Sequence, residues 1–373
     1  MRGDEHGASV PVTRRLLSTR PLRTVAGGLG IGMALMLMLL LNGLWAGVQQ
    51  RVTMYEDHLQ ADLVVVPDGT ESLFADAGVL PAAAAARIAA TPGVESASTI
   101  RTMYLILELA HGKAAVAATS SDPGADGGPW SFTDGRAPTA SDEIALDALL
   151  ADQHGIEVDG RVPVLGHPMR VSGLTRDTGM FMTPLVFTTN EAMTEMLRAE
   201  GTTGAVLVEA DDPARVADRL RDLGLTVRTP AQLHDSTLTQ ATTIYGSPIR
   251  LMVGVAFAAG TLIVALVAYT RVAEQLRDLG VLKALGATPG RVRRIAVTET
   301  LALTLLGTVF AVVLLLVARE AIGWWRPAFP VVLTTGTVAR TALAAIAMAL
   351  LAAWLPAHRL GRLDAASAFR SAR

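Results

Sequence analysis

The chain has 373 residues, 51% of them hydrophobic, with 32 Lys and Arg against 34 Asp and Glu and no cysteine. The missing thiols exclude disulfides, thiolate metal sites and iron–sulfur clusters. The formal net charge of −2 hides an uneven distribution of charge along the chain, and no nucleic acid is expected as a partner.

The apolar residues are concentrated in four windows, each near the ~20 residues that a helix needs to cross the hydrocarbon core. Residues 1–23 precede the first window, with Arg14, Arg15 and Arg20 beside Leu16 and Leu17 and Pro21 near the end; the pattern fits a cytoplasmic amphipathic segment lying on the membrane and equally a disordered basic tail, and the resemblance given below favours the first. The first span covers 24–48. Its apolar run exceeds the ~7–15 residues of a signal-peptide core, and Trp45-Ala46-Gly47-Val48 offers no A-x-A cleavage site, so an uncleaved anchor is expected. Gly28, Gly32, Gly43 and Gly47 fall within one stripe of about 100° on this helix, a face that admits close approach of another helix. The pattern leaves open whether the second span or a second subunit takes that face. Asn42 stands beside the stripe, able to bond across a helix pair or to its own backbone.

Residues 49–248 carry 27 Asp and Glu against 13 Lys and Arg and read as an α/β domain. Ala61–Pro67 is a continuous apolar strand. Pro81–Ala90 is an alanine-rich helix that opens on proline and closes at Thr91-Pro92-Gly93. Met103–Ala110 and Lys113–Thr119 flank His111-Gly112 as a hairpin, and a second short hairpin turns near Gly166-His167. From Leu185 onward strands and helices alternate, which suggests βαβ units in a mixed sheet. Gln49–Gln60 and Ala231–Pro248 are expected to prolong the first two spans as stalk helices.

Spans follow at 249–270, 295–318 and 338–356, with a loop at 319–337 and a tail at 357–373. Arginine and lysine set the orientation: they gather before the first span, between spans two and three, and in the tail. Both termini and residues 271–294 are therefore expected in the cytoplasm, and 49–248 outside it. Within 271–294, Val272, Leu276, Leu279, Leu282 and Leu285 recur at helical spacing, with Arg271, Glu274, Arg277, Asp278 and Lys283 over much of the remainder. Gly286 and the following Ala-Thr-Pro-Gly forbid an uninterrupted helix into span three.

No G-x-x-x-x-G-K-[ST] run is present to cradle a nucleotide's phosphates. The seven histidines form no H-E-x-x-H motif and no close cluster with acids, and there is no G-x-S-x-G. No catalytic, metal or cofactor site is expected on this chain. The span centres carry no ionisable group, which disfavours proton or sodium coupling. Glu299, at the elbow between the 271–294 loop and span three, is read as structural, with Arg293 as a candidate partner.

Three regions carry a resemblance to a known family. Glu274-Gln275-Leu276-Arg277-Asp278-Leu279-Gly280-Val281-Leu282-Lys283-Ala284-Leu285-Gly286-Ala287 resembles the cytoplasmic loop of FtsX-like (MacB-type) ABC transporter permeases, with Gln275 and Lys283 where the family pattern has arginine and Asp278 where it has glutamate. Pro356-Ala357-His358-Arg359-Leu360 and Ala365–Arg370 resemble the family's C-terminal ending, and Asp134-Gly135-Arg136 with Glu143–Leu146 resembles its extracytoplasmic domain. The resemblance implies a membrane α-helical fold of four transmembrane helices with an extracytoplasmic α/β domain inserted between helices one and two. It implies a plasma-membrane permease that pairs with a separate ABC ATPase and a second permease copy, ATP and magnesium being held by the ATPase. Glu274, Arg277, Asp278, Gly280, Leu282, Lys283, Leu285 and Gly286 become the expected ATPase-coupling residues. Export or extraction of an amphipathic substrate, with or without an extracytoplasmic adaptor, is the implied activity. The alternative is a transmembrane signal transducer that regulates a cell-wall hydrolase or sensor without transport.

Overall fold

The computed structural model describes residues 21–76, 78–110, 112–275, 281, 288–325, 329 and 331–361. Helix α1 (Pro21–Val52) is followed by a 3-10 turn at Glu56–His58. The intervening α/β elements begin with β1 (Leu63–Val66), β2 (Leu80–Pro81), α2 (Ala82–Ala89), β3 (Val94–Leu109) and β4 (Gly112–Ser121). They continue through β5 (Phe132–Gly135), β6 (Glu143–Asp147), α3 (Ala148–His154), β7 (Arg161–Val164) and β8 (His167–Thr175). The last are β9 (Leu185–Thr189), α4 (Asn190–Leu197), β10 (Thr202–Thr203), β11 (Ala205–Ala210), α5 (Pro213–Asp222) and β12 (Thr226–Arg228). Helix α6 (Pro230–Ala241) leads through a π-helical turn, Thr242–Gly246, into α7 (Ser247–Glu274), and α8 (Pro289–Trp325) and α9 (Thr335–Gly361) follow. The chain divides into two compact units, parted at Ala46/Gly47 and Gly246/Ser247.

In the α/β unit the sheet order is β12-β1-β11-β3-β4-β9-β6-β8-β5, with β7 on β8. Strand β1 is apolar at every position because both of its faces are covered. Leu63 and Val65 join Ile88 of α2 and Val216 and Leu220 of α5, whereas Val64 and Val66 join Tyr55, Phe74 and Leu233 on the other side. The expected βαβ units form within a mixed sheet, but their strands are not neighbours. Strands β11 and β12, joined by α5, run parallel to each other with the antiparallel β1 between them, and β9, joined to β11 by α4, pairs in parallel with β4. An alternation of strands and helices states the order of elements, but pairing from elsewhere in the chain decides which strands become neighbours. The first hairpin pairs Leu109 with Gly112, so its turn falls one residue earlier than the sequence suggests. Gly112, at φ +125°, already belongs to β4.

The two expected stalks differ. The helix that begins at Pro21 ends at Val52, short of Gln60. The second is longer: Thr229 and Gln232 form a reciprocal capping box with Pro230 in the first turn, and helix then runs from Pro230 to Glu274, 45 residues. At 1.5 Å per residue this is roughly 68 Å, about twice the ~30 Å hydrocarbon core.

Among the described residues, four helices are long and apolar enough to cross a membrane. In the helical unit their shared core includes Ile31, Leu35 and Leu39 of α1, Val264 of α7, Leu303 and Leu315 of α8 and Met348 of α9. Within the chain, Gly28 and Gly32 meet span three and not span two. A Cβ at position 28 would lie 3.1 Å from Leu306 and Phe310, and one at position 32 would lie 2.8 Å from the Phe310 Cβ and 3.1 Å from the Gly307 carbonyl oxygen. In return, a Cβ at Gly307 would stand 2.6 Å from Ile31. Span three thus occupies the face, with a glycine of its own at the crossing. Span two approaches α1 beside that stripe, where a Cβ at Gly27 would lie 3.1 Å from Val267. Gly43 lies against Val331 and Val332, and Gly47 is buried. Asn42 bonds its own helix, donating to the Met38 carbonyl at 3.0 Å.

Gly32→Leu should force α1 and α8 apart and cost about 1–3 kcal/mol of overpacking, more than the under ~1 kcal/mol that Leu gains over Gly in helix propensity. Gly254→Leu, where an added Cβ meets nothing within 4 Å, should be neutral or mildly stabilising. Thermal unfolding of the two variants in detergent checks the difference; equal midpoints would refute the packing role.

Candidate functional site

Polar side chains converge at the ends of α7 and α8 that flank residues 275–288. Arg271 and Gln275 are one turn apart at the end of the α7 segment, and Glu299 lies in the third turn of α8. Arg271 Nη2 donates to Thr24 Oγ1 of α1 at 2.7 Å, and its Nη1 lies 3.4 Å from Glu299 Oε1. The same oxygen accepts from Gln275 Nε2 at 3.0 Å. Glu299 is 3% exposed. Three helices are thereby joined through one guanidinium and one carboxylate. Two buried charges are tolerated because each neutralises the other and hydrogen bonds fill their remaining capacity.

This clasp explains one departure in the 274–287 stretch. Arginine at 275 would place a second cation beside Arg271, whereas the glutamine amide supplies the donor without a charge. The sequence places Glu299 at the elbow, but Arg271 served there to set orientation and as part of the charged face of 271–294, not as its partner. The usable signal was the four-residue spacing of Arg271 and Gln275, which puts both on one helix face. The Arg293 side chain lies outside the described residues. So do Arg277, Asp278, Gly280, Leu282, Lys283, Leu285 and Gly286; among the expected coupling residues Glu274 is described, exposed at the end of α7. Helix α8 starts at Pro289, with Arg291 N–H bonded to the Thr288 carbonyl at 3.0 Å, as the Ala-Thr-Pro-Gly punctuation requires.

A second polar group stands in the α/β unit, where the chain leaves α1 and later enters α6. Tyr55 is buried, donating to the Gly127 carbonyl and sharing a hydrogen bond with Thr119, both at 2.9 Å. Burial pushes its phenol above the usual range. His58 stacks on Trp130 with centroids 4.1 Å apart. Between these anchors, Glu56 Oε1 accepts from Thr237 of α6 at 3.0 Å, and Asp57 lies 2.7 Å from His234 of the same helix. Glu56 is 2% exposed and its Oε2 has no partner. Burial, chiefly, pushes its carboxyl up to about 7, with the Thr237 bond and His234 pulling down and Asp57 pushing up.

The Asp134-Gly135-Arg136 and Glu143 positions are joined structurally. Arg136 bonds both carboxylate oxygens of Glu143, at 2.6 and 2.8 Å, while Arg170 pairs with it from β8. Arg136, aided by the Thr139 N–H, holds the Glu143 carboxyl at about 2. The cluster fastens the 134–143 loop to β6 and β8. Among the described residues, no three His, Asp or Glu side chains gather in a group able to hold a metal.

Glu56 predicts a pH dependence with a definite sign. Because its folded pKa is raised, its favourable contribution is complete below its unfolded value near 4.5 and is lost as pH rises through about 7. Full ionisation should remove on the order of 3 kcal/mol. Glu56→Gln, which keeps an acceptor for Thr237, should flatten the unfolding midpoint between pH 5 and 8 in parallel denaturation series. An unchanged slope would refute the assignment.

Residues 25–223 match the MacB-like periplasmic core domain, and residues 250–365 match the FtsX-like permease C-terminal family. The chain is 27% identical over 359 residues to the uncharacterized ABC transporter permease Rv0072 of Mycobacterium tuberculosis (strain ATCC 25618 / H37Rv), covering 95% of each chain. It is 25% identical over 353 residues to the uncharacterized ABC transporter permease Mb2592 of Mycobacterium bovis (strain ATCC BAA-935 / AF2122/97), covering 94% of this chain and 96% of the other. Among solved structures, the periplasmic region of MacB from Actinobacillus actinomycetemcomitans is similar at 13% identity, covering 48% of this chain and 94% of that one, with a TM-score of 0.37. With the first family match alone taking in more than half of its residues, and the second following in the order the four-helix architecture demands, this chain belongs to the FtsX-like, MacB-like ABC transporter permeases.

Proposed function

We propose that this permease couples ATP hydrolysis on a separate ATPase to movement of its extracytoplasmic domain, and that the movement exports or extracts an amphipathic substrate. The observation that carries the reading is the clasp. Arg271, at the threshold of the 275–288 segment, is tied directly to Thr24 of span one and Glu299 of span three, so a displacement of that segment reaches three spans together. Helix from Pro230 to Glu274 then gives the displacement a continuous element with which to enter the α/β unit.

The remaining assignments follow from charge and family. Arginine-rich residues 271–294 and both termini lie in the cytoplasm, where Glu274, Arg277, Asp278 and Lys283 face the ATPase and Gly280, Leu282, Leu285 and Gly286 belong to the same coupling region. ATP and magnesium belong to the ATPase. A second copy of the permease completes the transporter, and an extracytoplasmic adaptor is compatible with the acidic outer domain.

Two experiments test this. Charge reversal at Glu274 and Arg277 should reduce co-purification with the co-expressed ATPase, or its ATP turnover, several-fold while leaving membrane insertion intact; wild-type values for both would refute the contact. Glu299→Ala should destabilise the helical unit by ~3–5 kcal/mol, since it strands a buried arginine. The double variant Arg271→Met with Glu299→Leu should recover most of that stability yet keep ATP turnover uncoupled from substrate. Full recovery of coupled turnover in the double variant would reduce the clasp to a fastening.

A further inference from the structure

The α/β unit displays an apolar loop whose anchors are the two places where the chain passes to and from the spans. Residues Gly179-Met180-Phe181-Met182-Thr183 follow β8, and the loop is built, with Asp177 and Met182 at φ +54° and +56° and a bridge between Met180 and Thr183. Arg51, in the last turn of α1, donates to the Gly179 carbonyl at 3.2 Å and lies 3.5 Å from Asp177. The Phe181 ring packs edge-on against Tyr245 at 5.5 Å, and Tyr245 stands two residues before Ser247, where α7 begins. Met182 is 53% exposed and Ile244 57%. A cleft of about 250 Å³ behind the loop is lined by Arg51, Asp147, Arg176 and Asp177 on its polar side and by Met180 and Met182 on its apolar side.

Met182 and Ile244 each follow or precede a ring of the Phe181–Tyr245 pair, so their exposure is clustered, whereas Leu165 at the β7–β8 turn is exposed singly. Aromatic rings with one wet and one apolar end belong at a bilayer interface, as does arginine at phosphate level. The depth follows from the chain itself. Arg51 and Tyr245 lie within two turns of the apolar runs on either side of the domain, so the chain tethers both anchors of the loop to those runs by about 10 Å of helix. On the second span Leu251, Val255 and Leu262 are themselves exposed at helical spacing.

We propose that the Gly179–Thr183 loop and the Thr242–Gly246 turn seat in the outer leaflet of the membrane, Met182 and Ile244 among the upper acyl carbons and Arg176 at the lipid phosphates. The proposal rests on the membrane topology proposed above. It gives the domain a direct grip on lipid at the point from which an amphipathic molecule would be lifted, and a movement of the Pro230–Glu274 helix would move that grip.

The chain's lack of cysteine allows a clean test in the full-length protein. Single cysteines replace Met182, Leu262 in the second span, or Leu165 at the β7–β8 turn, and each carries a nitroxide label. The variants are reconstituted in phosphatidylcholine–phosphatidylglycerol vesicles, and collision with oxygen is compared with collision with a water-soluble nickel chelate. The Met182 label should favour oxygen over nickel several-fold more than the Leu165 label, at a depth between Leu165 and Leu262. A Met182 label as nickel-accessible as Leu165, with Leu262 still in lipid, overturns the proposal alone; an aqueous Leu262 overturns the topology instead. Spin–spin broadening at Met182 that vanishes on dilution with unlabelled chain assigns the patch to a second copy and also overturns it. Ile244→Cys repeats the measurement should Met182→Cys fail to fold.

Discussion

The close crossing of spans one and three is the contact on which the helical unit turns. Gly28 and Gly32 on α1 and Gly307 on α8 remove the side chains that would otherwise hold these helices apart, and Phe310 and Ile31 fill the space on either side. Thr24 lies four residues before Gly28 and eight before Gly32; Glu299 lies eight before Gly307. Since i, i+4 and i+8 share a helix face, the crossing aims Thr24 and Glu299 toward the same point two turns away. Arg271 meets both there. The ion pair depends on the glycines, because a buried charge pair holds only when its geometry is close.

The α/β unit meets its own polar expense at the mouth of the spans. Tyr55 and His58 fix the 3-10 turn to the sheet and to Trp130, while Glu56 and Asp57 reach α6 through Thr237 and His234. Among the described residues one Glu56 oxygen has no partner in a site 2% exposed, and burial answers by raising the carboxyl so that its neutral form is favoured. Glu143 is the contrast within the same unit: its carboxyl is equally buried, yet two arginines hold it ionised and the 134–143 loop fixed.

Membership in the FtsX-like, MacB-like permeases accounts for the order of elements: one span, a large α/β insertion, then three spans. It leaves open what a particular chain does with its own residues. The glutamine at 275 is such a case, since it serves the Glu299 carboxylate where another cation would compete with Arg271.

What the sequence determined by itself follows from periodicity and composition. Four apolar windows, an acidic insertion, a continuous strand at 63–66 and a helix beginning on Pro81 were all legible, because hydrophobic runs, charge asymmetry and proline act locally. The 274–287 and C-terminal stretches carried the family in the same way. Tertiary structure alone decided who meets whom. A glycine stripe announces a close neighbour but cannot name it, and only packing showed span three there. The placing of β1 between β11 and β12, and the joining of Arg271 and Gln275 to Glu299 across 28 and 24 residues, are likewise products of the folded chain. No local signal records which distant segment will arrive at a given face, because that choice is made by the total burial and pairing of the whole unit.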